Sequence, residues 1–383
     1  MSPHLLVFGI APVLFNVVAC ANLFAAHYSG TINSLTFIPS SSGAASLTLN
    51  TSLTIGGQPS WMTWDSASRT IYMPDESGSG RSSLSFAVSA AKDGKLALLG
   101  KASGLPLVGV ANVVYGSGYI ATAHYSASSI STMKLPLTSS STVLQTLKYT
   151  MNGAGPVPSR QDAPHPHHVF PDPTGDFLLA PDLGADVIRI YKIDKASGKL
   201  TACPSYVEPG GTGPRHGVFW GKDVLYVANE LANSVHAFAV TYPSSGCLTL
   251  TRSQSLTTMT GNKAAPVGTK VGELHVKGNF LYVSNRRDLS FAPNDSIATF
   301  SLSSTGVMTF VDISSSGGTY PRTFSINKAG DLMAIGDQTT ANVVVVKRDP
   351  ATGQLGPQLA SLRVGSVGRA ENDDGLSSVL WDE

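Results

Sequence analysis

Charged residues are scarce in this sequence, yet polar residues recur at matching places in a repeat. Asp, Glu, Lys and Arg make up 13% of 383 residues, about half the usual share. One set opens successive repeats: Ser60, His167, Arg215 and Arg322 directly after a proline, Glu273 directly after a glycine, and Ser377 at the matching place near the C-terminus. A second set stands at the end of the next apolar segment of each repeat: Glu76, His124 with Tyr125, Asp182, Glu230, Arg286 and Gln338. Burying so many charged side chains is costly in free energy unless they pair with one another or bind a ligand.

These residue types suit acid–base chemistry on a small anion. The planar guanidinium groups of Arg215, Arg286 and Arg322 would hold carboxylate or phosphate in bidentate fashion. His167 exchanges a proton near neutral pH, and Glu230 acts as acid or base when its surroundings move its pKa. An anion anchor, oxyanion stabilisation and a proton carrier are what opening or forming a lactone needs. The simpler alternative to a functional site is that these arginines and glutamates form ion pairs with a purely structural role.

A repeat of roughly 50 residues must position these groups. Within each copy, β-branched segments alternate with turns that contain Gly or Asp-Pro, which predicts four strands, or one propeller blade. No linker-like stretch divides the copies, which argues against separate all-β domains. Clear copies begin at Pro166, Pro214, Gly272 and Pro321, and weaker ones at Pro59 and Ala111.

The two ends of the chain complete one further blade. Residues 23–38 and 46–55 resemble the second, third and outer strands of a copy, and residues 377–383 resemble a lone first strand. Added to the six copies between residues 59 and 362, they predict an all-β, seven-bladed β-propeller with four antiparallel strands per blade. Pairing of the C-terminal strand with the N-terminal blade closes it and leaves no exposed edge.

An apolar stretch over residues 5–18, followed by Ala19-Cys20-Ala21, predicts a secretory signal peptide over residues 1–21. A transmembrane anchor is the alternative, but Pro12 and Asn16 interrupt the stretch and it is short for a span. We therefore expect a single propeller domain over residues 22–383, secreted to the exterior or the cell wall.

An extracellular location has two consequences for the mature chain. Cys203 and Cys247 remain, and they either pair or lie apart as buried thiols; the sequence leaves both readings open. Sequons at Asn50 and Asn294 become available for glycosylation.

Charge and hydropathy exclude two classes of partner. The formal net charge is +1 and no long basic run exists, so we expect no nucleic-acid binding. No segment after the N-terminal stretch has about 20 uninterrupted apolar residues, so we expect no membrane association. A closed propeller needs no partner to cover an edge, and we expect a monomer.

Four consecutive copies resemble the seven-bladed lactonase family, which includes the carboxy-cis,cis-muconate cyclases and the propeller-type 6-phosphogluconolactonases. The resemblance covers nearly the whole mature chain. It is carried by the segments HPHHVFPDPTGDFLLAPDLG, GPRHGVFWGKDVLYVANELAN, LYVSNRRD with NDSIATF, and YPRTFSINKAGDLMAIGDQ.

The resemblance implies an enzyme without metal or other cofactor, whose site lies at one end of the channel. The family's His, Pro-Arg, Asn-Glu and Ser-Asn-Arg motifs fall on His167, Arg215, Glu230 and Arg286, which we expect to be catalytic. Substrate contacts are expected from Glu76, Tyr125, Glu273, Arg322 and Gln338. The sequence departs from the family pattern where His124 precedes Tyr125 and where Asp75-Glu76 replaces Asn-Glu.

A secretory signal argues against the phosphorylated sugar lactone of cytosolic metabolism. We therefore expect a carboxymuconate cyclase-like isomerase or lactonase acting on a small anionic lactone or muconate-like carboxylate. The alternatives are a non-catalytic secreted or cell-wall binding protein and a 6-phosphogluconolactonase-like hydrolase.

Two metal-dependent readings fit less well. A calcium lactonase would use Glu76, Asp182, Asn229 and Asp337, but three arginines in the same channel would repel the cation. A zinc site built from the histidines at 165, 167 and 168 lacks a clear third ligand, since consecutive strand residues point to opposite faces.

Overall fold

The computed structural model describes residues 20–40, 44–78, 80, 82–244 and 246–383. These residues form seven antiparallel sheets, which are the blades of a β-propeller. Their one helical element is a 3-10 turn at Thr260–Asn262. The expected signal peptide lies, apart from its last two residues, outside the described part of the chain. No helix in the described ranges is long and apolar enough to cross a membrane.

The strands follow the chain blade by blade. Blade 1 contains β1 (Ala21–His27), β2 (Thr31–Ile38) and β3 (Ser46–Thr54); blade 2 contains β4 (Thr63–Asp65), β5 (Thr70–Pro74), β6 (Ser83–Ala90) and β7 (Leu96–Leu105); blade 3 contains β8 (Gly109–Tyr115), β9 (Tyr119–His124), β10 (Ser129–Lys134) and β11 (Val143–Lys148). Blade 4 contains β12 (Phe170–Pro171), β13 (Phe177–Asp182), β14 (Val187–Ile193), β15 (Leu200–Ala202) and β16 (Tyr206–Val207); blade 5 contains β17 (Pro214–Trp220), β18 (Val224–Asn229), β19 (Ser234–Thr241) and β20 (Thr249–Thr257). Blade 6 contains β21 (Lys270–Lys277), β22 (Phe280–Arg286), β23 (Ser296–Leu302) and β24 (Met308–Ser315); blade 7 contains β25 (Pro321–Ile326), β26 (Leu332–Asp337), β27 (Asn342–Arg348) and β28 (Leu355–Arg363), and β29 (Leu376–Trp381) returns to blade 1.

The expected closure of the propeller is confirmed. Strand β29 is the innermost strand of blade 1 and pairs antiparallel with β1, so that Leu23 lies opposite Trp381 and Ala25 opposite Val379. Because β1 then has a partner on both sides, the edge of the first blade is covered by the last strand of the chain.

The outer strand of blade 4 is broken into β15 and β16, both of which pair with β14. The break contains Pro204, which cannot donate a hydrogen bond to the ladder. Beside it, Cys203 forms a disulfide with Cys247 of blade 5, with 5.7 Å between the Cα atoms. This bond settles the pairing that the sequence left open and ties the outer parts of two neighbouring blades together.

The apolar core is divided among the blade interfaces. Each of the seven buried clusters in the described residues lies between two neighbouring blades. Tyrosine hydroxyls strengthen several interfaces, as where Tyr226 Oη donates to Gly306 O at 2.6 Å and Tyr282 Oη donates to Gly353 O at 2.6 Å. Both glycines have a left-handed φ, +79° and +75°, in the turn before an outer strand, which explains the Gly of the repeated turn.

The register within each blade determines which residues reach the end of the channel. Pro214 at the start of an innermost strand lies opposite Asn229 at the end of the second strand, and Pro321 lies opposite Asp337 in the same way. The next residue on each of the two strands therefore emerges at the same end. Repetition around the propeller gathers these residues into one place.

Candidate active site

A polar pocket of about 280 Å³ opens at this end of the channel. Most of the predicted site residues line it: Glu76, Tyr125, His167, Glu230, Arg286, Arg322 and Gln338. We call these seven residues the pocket ring. Arg215 lies directly beneath them and Glu273 lies deeper in the channel, as described below.

The carboxylate of Glu230 binds three arginines. Arg160 Nη1 lies 2.6 Å from Oε1, while Arg215 Nε and Arg286 Nη2 lie 2.9 Å and 2.8 Å from Oε2. Arg215 and Arg286 also donate to carbonyl oxygens of blade 6, at Gly272 and Val271. Glu230 is thus the fixed centre of a cationic cluster on the pocket floor.

The three guanidinium groups determine the charge state of Glu230. Burial raises the pKa of this carboxyl, but the charges of Arg160, Arg286 and Arg215 outweigh burial and hold the pKa well below its ordinary value. Burial and the neighbouring charge of Arg286 lower the pKa of Arg215 to about 9, which leaves it cationic at neutral pH. Glu230 therefore remains ionised and is a poor proton carrier.

A second ion pair lies across the pocket. Arg322 Nη2 donates to Glu76 Oε2 at 3.0 Å, and Tyr28 Oη donates to the same oxygen at 2.5 Å. Burial raises the pKa of Glu76 despite the opposing charge of Arg322, and a nearby Asp373 adds to the rise. Glu76 is therefore easier to protonate than an ordinary glutamate.

His167 lies among these charges, held by a hydrogen bond from its backbone N–H to Pro181 O at 3.0 Å. Its ring is almost fully buried at 6% exposure, and its Nδ1 has no hydrogen-bond partner in the described part of the chain. Burial, reinforced by the charges of Arg215, Arg322 and Arg286, lowers the pKa of His167 well below its ordinary value. In the unliganded site the imidazole is neutral and free to accept a proton.

The residue after the second strand contributes to the pocket in most blades. The ring of equivalent positions is Tyr28, Glu76, Tyr125, Leu183, Glu230, Arg286 and Gln338.

Two sequence expectations need correction. Asp182 is the last strand residue, one position early, and its carboxylate binds Arg189 at 2.7 Å instead of facing the pocket. His124 is likewise one position early, buried with Nε2 2.8 Å from Ser131 Oγ.

Glu273 is also one position away from its expected place. A β-bulge at the start of each innermost strand sets Gly272 beside Arg215, and Glu273 is equivalent to His216. Gly272 has no space for a side chain, because a Cβ would come within 2.6 Å of Ser284 Oγ. Glu273 therefore belongs to a deeper layer with His216 and does not line the pocket, so the structure gives no support to the expected substrate contact at this residue.

That deeper layer, which we call the deep ring, consists of Trp61, His168, His216 and Glu273. His168 and His216 stack with ring centroids 4.3 Å apart, and Trp61 meets both edge-on. His216 Nδ1 lies 3.0 Å from Glu273 Oε2. Burial lowers the pKa of both histidines well below the ordinary value, so this layer is held by neutral imidazoles and aromatic contacts.

Sequence reasoning missed the pocket residues that come from the connections between blades. Arg160 lies in the connection 149–169 before blade 4, and residues 364–375 bring Glu371, Asn372 and Asp373 over the pocket mouth. Long connections in a compact repeat fold are frequently functional, so their length was an available signal. Tyr320 precedes β25 and carried no such signal.

Two residues from the expected polar positions are structural. Ser60 Oγ donates to Gly109 O at 2.8 Å, and Ser377 Oγ donates to Pro59 O at 2.5 Å. Both bonds run from one innermost strand to that of the next blade. These serines therefore join blades and do not contact the pocket.

The residues considered for metal binding do not converge. His165 stacks on Tyr125 with centroids 4.0 Å apart and places Nε2 2.9 Å from Asp162 Oδ1, whereas His168 belongs to the deep ring. Within the described ranges, no group of three or more His, Cys, Asp or Glu side chains is arranged to hold a metal ion. Among the calcium candidates, Asp182 and Glu76 are each bound by an arginine.

Comparison with known families decides the classification. Residues 22–371 match the family model described as "Lactonase, 7-bladed beta-propeller". The chain belongs to this lactonase family. A lactone hydrolase is thereby supported as the class of enzyme, with a small anionic lactone as the class of substrate.

Relatives of this lactonase carry names that refer to sugar lactones. A protein of Arthroderma benhamiae named "Probable 6-phosphogluconolactonase" is 34% identical over 308 residues, covering 79% of this chain and 77% of that protein. The 6-phosphogluconolactonase of Bacillus subtilis is 32% identical over 53% of this chain and 55% of its own length. A solved structure of the periplasmic gluconolactonase of Pseudomonas aeruginosa has a TM-score of 0.78 at 25% identity, covering 95% of this chain and 99% of that one. These names favour a sugar lactone over the muconate expected from the sequence.

Proposed function

We propose that this protein is a hydrolase that opens the cyclic ester of a sugar-acid lactone, and that the reaction takes place in the pocket lined by the pocket ring. The observation that supports this most directly is the buried imidazole of His167, whose Nδ1 has no hydrogen-bond partner among the described residues and which lies near Arg215, Arg286 and Arg322. A neutral imidazole accepts a proton, and guanidinium groups stabilise the negative charge that develops on a lactone oxygen. The carboxymuconate cyclase reading draws no support from the names of the relatives.

The proposed reaction needs one proton carrier. Water attacks the lactone carbonyl carbon while His167 takes its proton, and Arg286 and Arg322 face the negative charge on the carbonyl oxygen. The bond from this carbon to the ring oxygen then breaks, and the imidazolium returns the proton to that oxygen, which becomes a hydroxyl. The carboxylic acid product ionises and releases a proton to solvent.

An anionic substrate or intermediate makes His167 more basic. The arginine charges are a principal cause of its low pKa, after burial, so an anion bound among them offsets that effect and raises the pKa. The imidazole is therefore basic when the intermediate carries charge and neutral when the site is empty. Glu230, held ionised by three arginines, orients these cations and does not move the proton.

We further propose that the protein works outside the cell. The disulfide between Cys203 and Cys247 supports an oxidising compartment, and the apolar N-terminal residues fit a secretory signal. Asn50 lies exposed on outer strand β3, where a glycan would not disturb the core. Secretion of the natural protein, measured with and without residues 1–21, tests this location.

The activity is tested by proton release from glucono-δ-lactone, 6-phosphogluconolactone and a carboxymuconate, after subtraction of spontaneous hydrolysis, with chelator present. His167→Gln should lower kcat/KM by about a hundredfold or more, the usual contribution of a proton carrier. His236→Gln is the matched control, since His236 is a buried histidine that binds Glu208 outside the pocket.

Two results would contradict the proposal. Full activity in His167→Gln would remove His167 from the mechanism. Absence of turnover by folded wild-type protein on every substrate would favour a non-catalytic secreted binding protein.

A further inference from the structure

The loop at residues 364–375 places the carboxylate of Glu371 at the rim of the pocket. Lys270, Arg287 and Tyr320 bind this carboxylate, and we call these three residues the cradle. Glu371 lines the pocket and binds Lys270 Nζ through Oε2. Arg287 Nη1 and Tyr320 Oη each lie 3.2 Å from its Oε1. Burial raises the pKa of Glu371, but Lys270 and Arg287 outweigh burial and lower it, so the carboxylate is ionised.

The cradle differs from the rest of the pocket in where its carboxylate comes from. Glu230 directly follows strand β18, and Glu76 lies two residues after β5, so the sheets position both of these carboxylates, which neutralise the other arginines. Lys270 and Arg287 have Glu371 as their one carboxylate partner in the described part of the chain, and that residue lies on a segment without strands. If Glu371 moves away, two cations and a hydroxyl remain free at the rim.

The loop is attached independently of Glu371. Gln338 Nε2 donates to Asn372 O at 2.8 Å and to Asp374 O at 3.1 Å, and Gly368 N donates to Thr339 O at 2.9 Å. Glu371 itself has a φ of +67°, a left-handed conformation that is unfavourable for a residue with a side chain. Its side chain is 35% exposed, and exposed ion pairs add little stability. The contact is therefore not needed to hold the loop and can be displaced.

We propose that Lys270, Arg287 and Tyr320 form a specificity subsite for an acidic group of the sugar lactone remote from its reacting carbonyl, and that Glu371 occupies this subsite until substrate displaces it. The inference rests on the proposed function and names its substrate class: an acidic rather than a neutral sugar lactone. A phosphate monoester and a carboxylate share the required chemistry. Two cations match the double charge of a phosphate, and the resident carboxylate shows that the geometry also accepts a carboxylate.

Three lactones separate these cases: 6-phosphogluconolactone, glucaro-1,4-lactone and neutral glucono-δ-lactone. Lys270→Met and Arg287→Gln should each raise KM for an acidic lactone about tenfold or more, the effect of losing one charge-assisted contact, and leave KM for the neutral lactone within about twofold. Glu371→Gln should act oppositely and lower KM for the acidic lactone about threefold or more, because it removes a competing charge.

Arg369→Gln is the matched control. Arg369 lies on the same loop and binds Asp374 at 2.7 Å, whereas Lys270 and Arg287 bind Glu371. It should leave KM for all three lactones unchanged. A response to 6-phosphogluconolactone alone identifies the group as phosphate, and a response to glucaro-1,4-lactone alone identifies it as carboxylate. Equal changes in KM for the acidic and neutral lactones would contradict the proposed subsite and would indicate that Glu371 serves only to hold the loop in place.

Binding of products tests the subsite without turnover. Titration calorimetry with 6-phosphogluconate, glucarate and gluconate should show tighter binding of an acidic-ended product, and Glu371→Gln should increase that preference. If gluconate binds as tightly as both others to wild type and variant, the subsite is wrong while lactonase activity on glucono-δ-lactone still stands. If no lactone is turned over but the preference appears, the proposed function fails and the subsite survives.

Discussion

The pocket ring and the deep ring are neighbouring layers of the channel, with His167 in one and His168 in the other, yet they bury their polar groups in different ways. The pocket ring keeps its charges and pairs them, with three arginines on Glu230 and Arg322 on Glu76. The deep ring keeps His168 and His216 neutral and stacks them. The pocket ring therefore holds its arginines by ion pairs, whereas the deep ring holds its two histidines uncharged, which avoids the cost of desolvating a cation deeper in the channel.

The largest expected effect comes from removing the centre of the pocket ring. Glu230→Gln leaves the buried Arg215 and Arg286 and the partly buried Arg160 without their shared carboxylate, so we expect a loss of about 3–5 kcal/mol in the free energy of unfolding and at least a hundredfold fall in kcat/KM. Urea denaturation and the lactone assay measure both. Glu208→Gln removes another buried carboxylate, next to His236 and Arg252, and should cost stability alone.

The pH dependence of stability measures the buried histidines with depressed pKa values, which include His168 and His216 of the deep ring and His167 of the pocket ring. The depressed histidine pKa values mean that the unfolded chain binds more protons, so stability is complete above the ordinary value of 6.5 and is lost as pH falls below it. Each such histidine contributes about 1.4 kcal/mol per pH unit in that window. The depressed pKa of Glu230 acts only below its ordinary value of 4.5.

Denaturation between pH 8 and pH 5 therefore reports mainly on neutral histidines. His216→Gln should make the decline shallower, whereas Tyr125→Phe, a change in the pocket ring that removes no carboxylate or histidine, should leave the slope as it is. An identical slope in wild type and His216→Gln would show that His216 is already protonated in the folded protein. The deep ring would then not consist of neutral imidazoles.

A smaller effect is expected from the carboxylate of the deep ring. Glu273→Gln keeps the shape of the side chain beside His216 and should lower kcat/KM by less than about tenfold, the size of one hydrogen bond, because Glu273 does not line the pocket. The assay used for Glu230→Gln gives the comparison. Equal losses in the two variants would place the deep ring in the chemistry.

The smallest effect should follow Tyr28→Phe. Tyr28 donates one hydrogen bond to Glu76, and that bond lowers the pKa of Glu76. Its loss should cost about 1 kcal/mol of stability and raise the pKa of Glu76 further, which nuclear magnetic resonance titration of the glutamate carboxyl would detect. An unchanged Glu76 titration would mean that Arg322 alone sets its charge state.

The sequence predicted the architecture well because the repeat specifies the same strand order six times and the two ends supply the missing parts of blade 1. It also placed Glu230, Arg286 and Arg322 correctly, since they follow clear strand and turn signals. It misplaced Asp182 and Glu273 by one residue, because a one-residue slip or a β-bulge moves a side chain without changing the pattern of apolar residues. Arg160 and Glu371 come from loops, where no periodicity fixes position.

The closure between β1 and β29 has a consequence for synthesis. Ala25 and Val379 become neighbours only after the six intervening blades have been synthesised, so the edge of β1 remains open throughout that time. An open β-edge is a template for pairing with another molecule. The nascent protein is therefore exposed to misassembly at its first blade until β29 has been synthesised and has paired with β1.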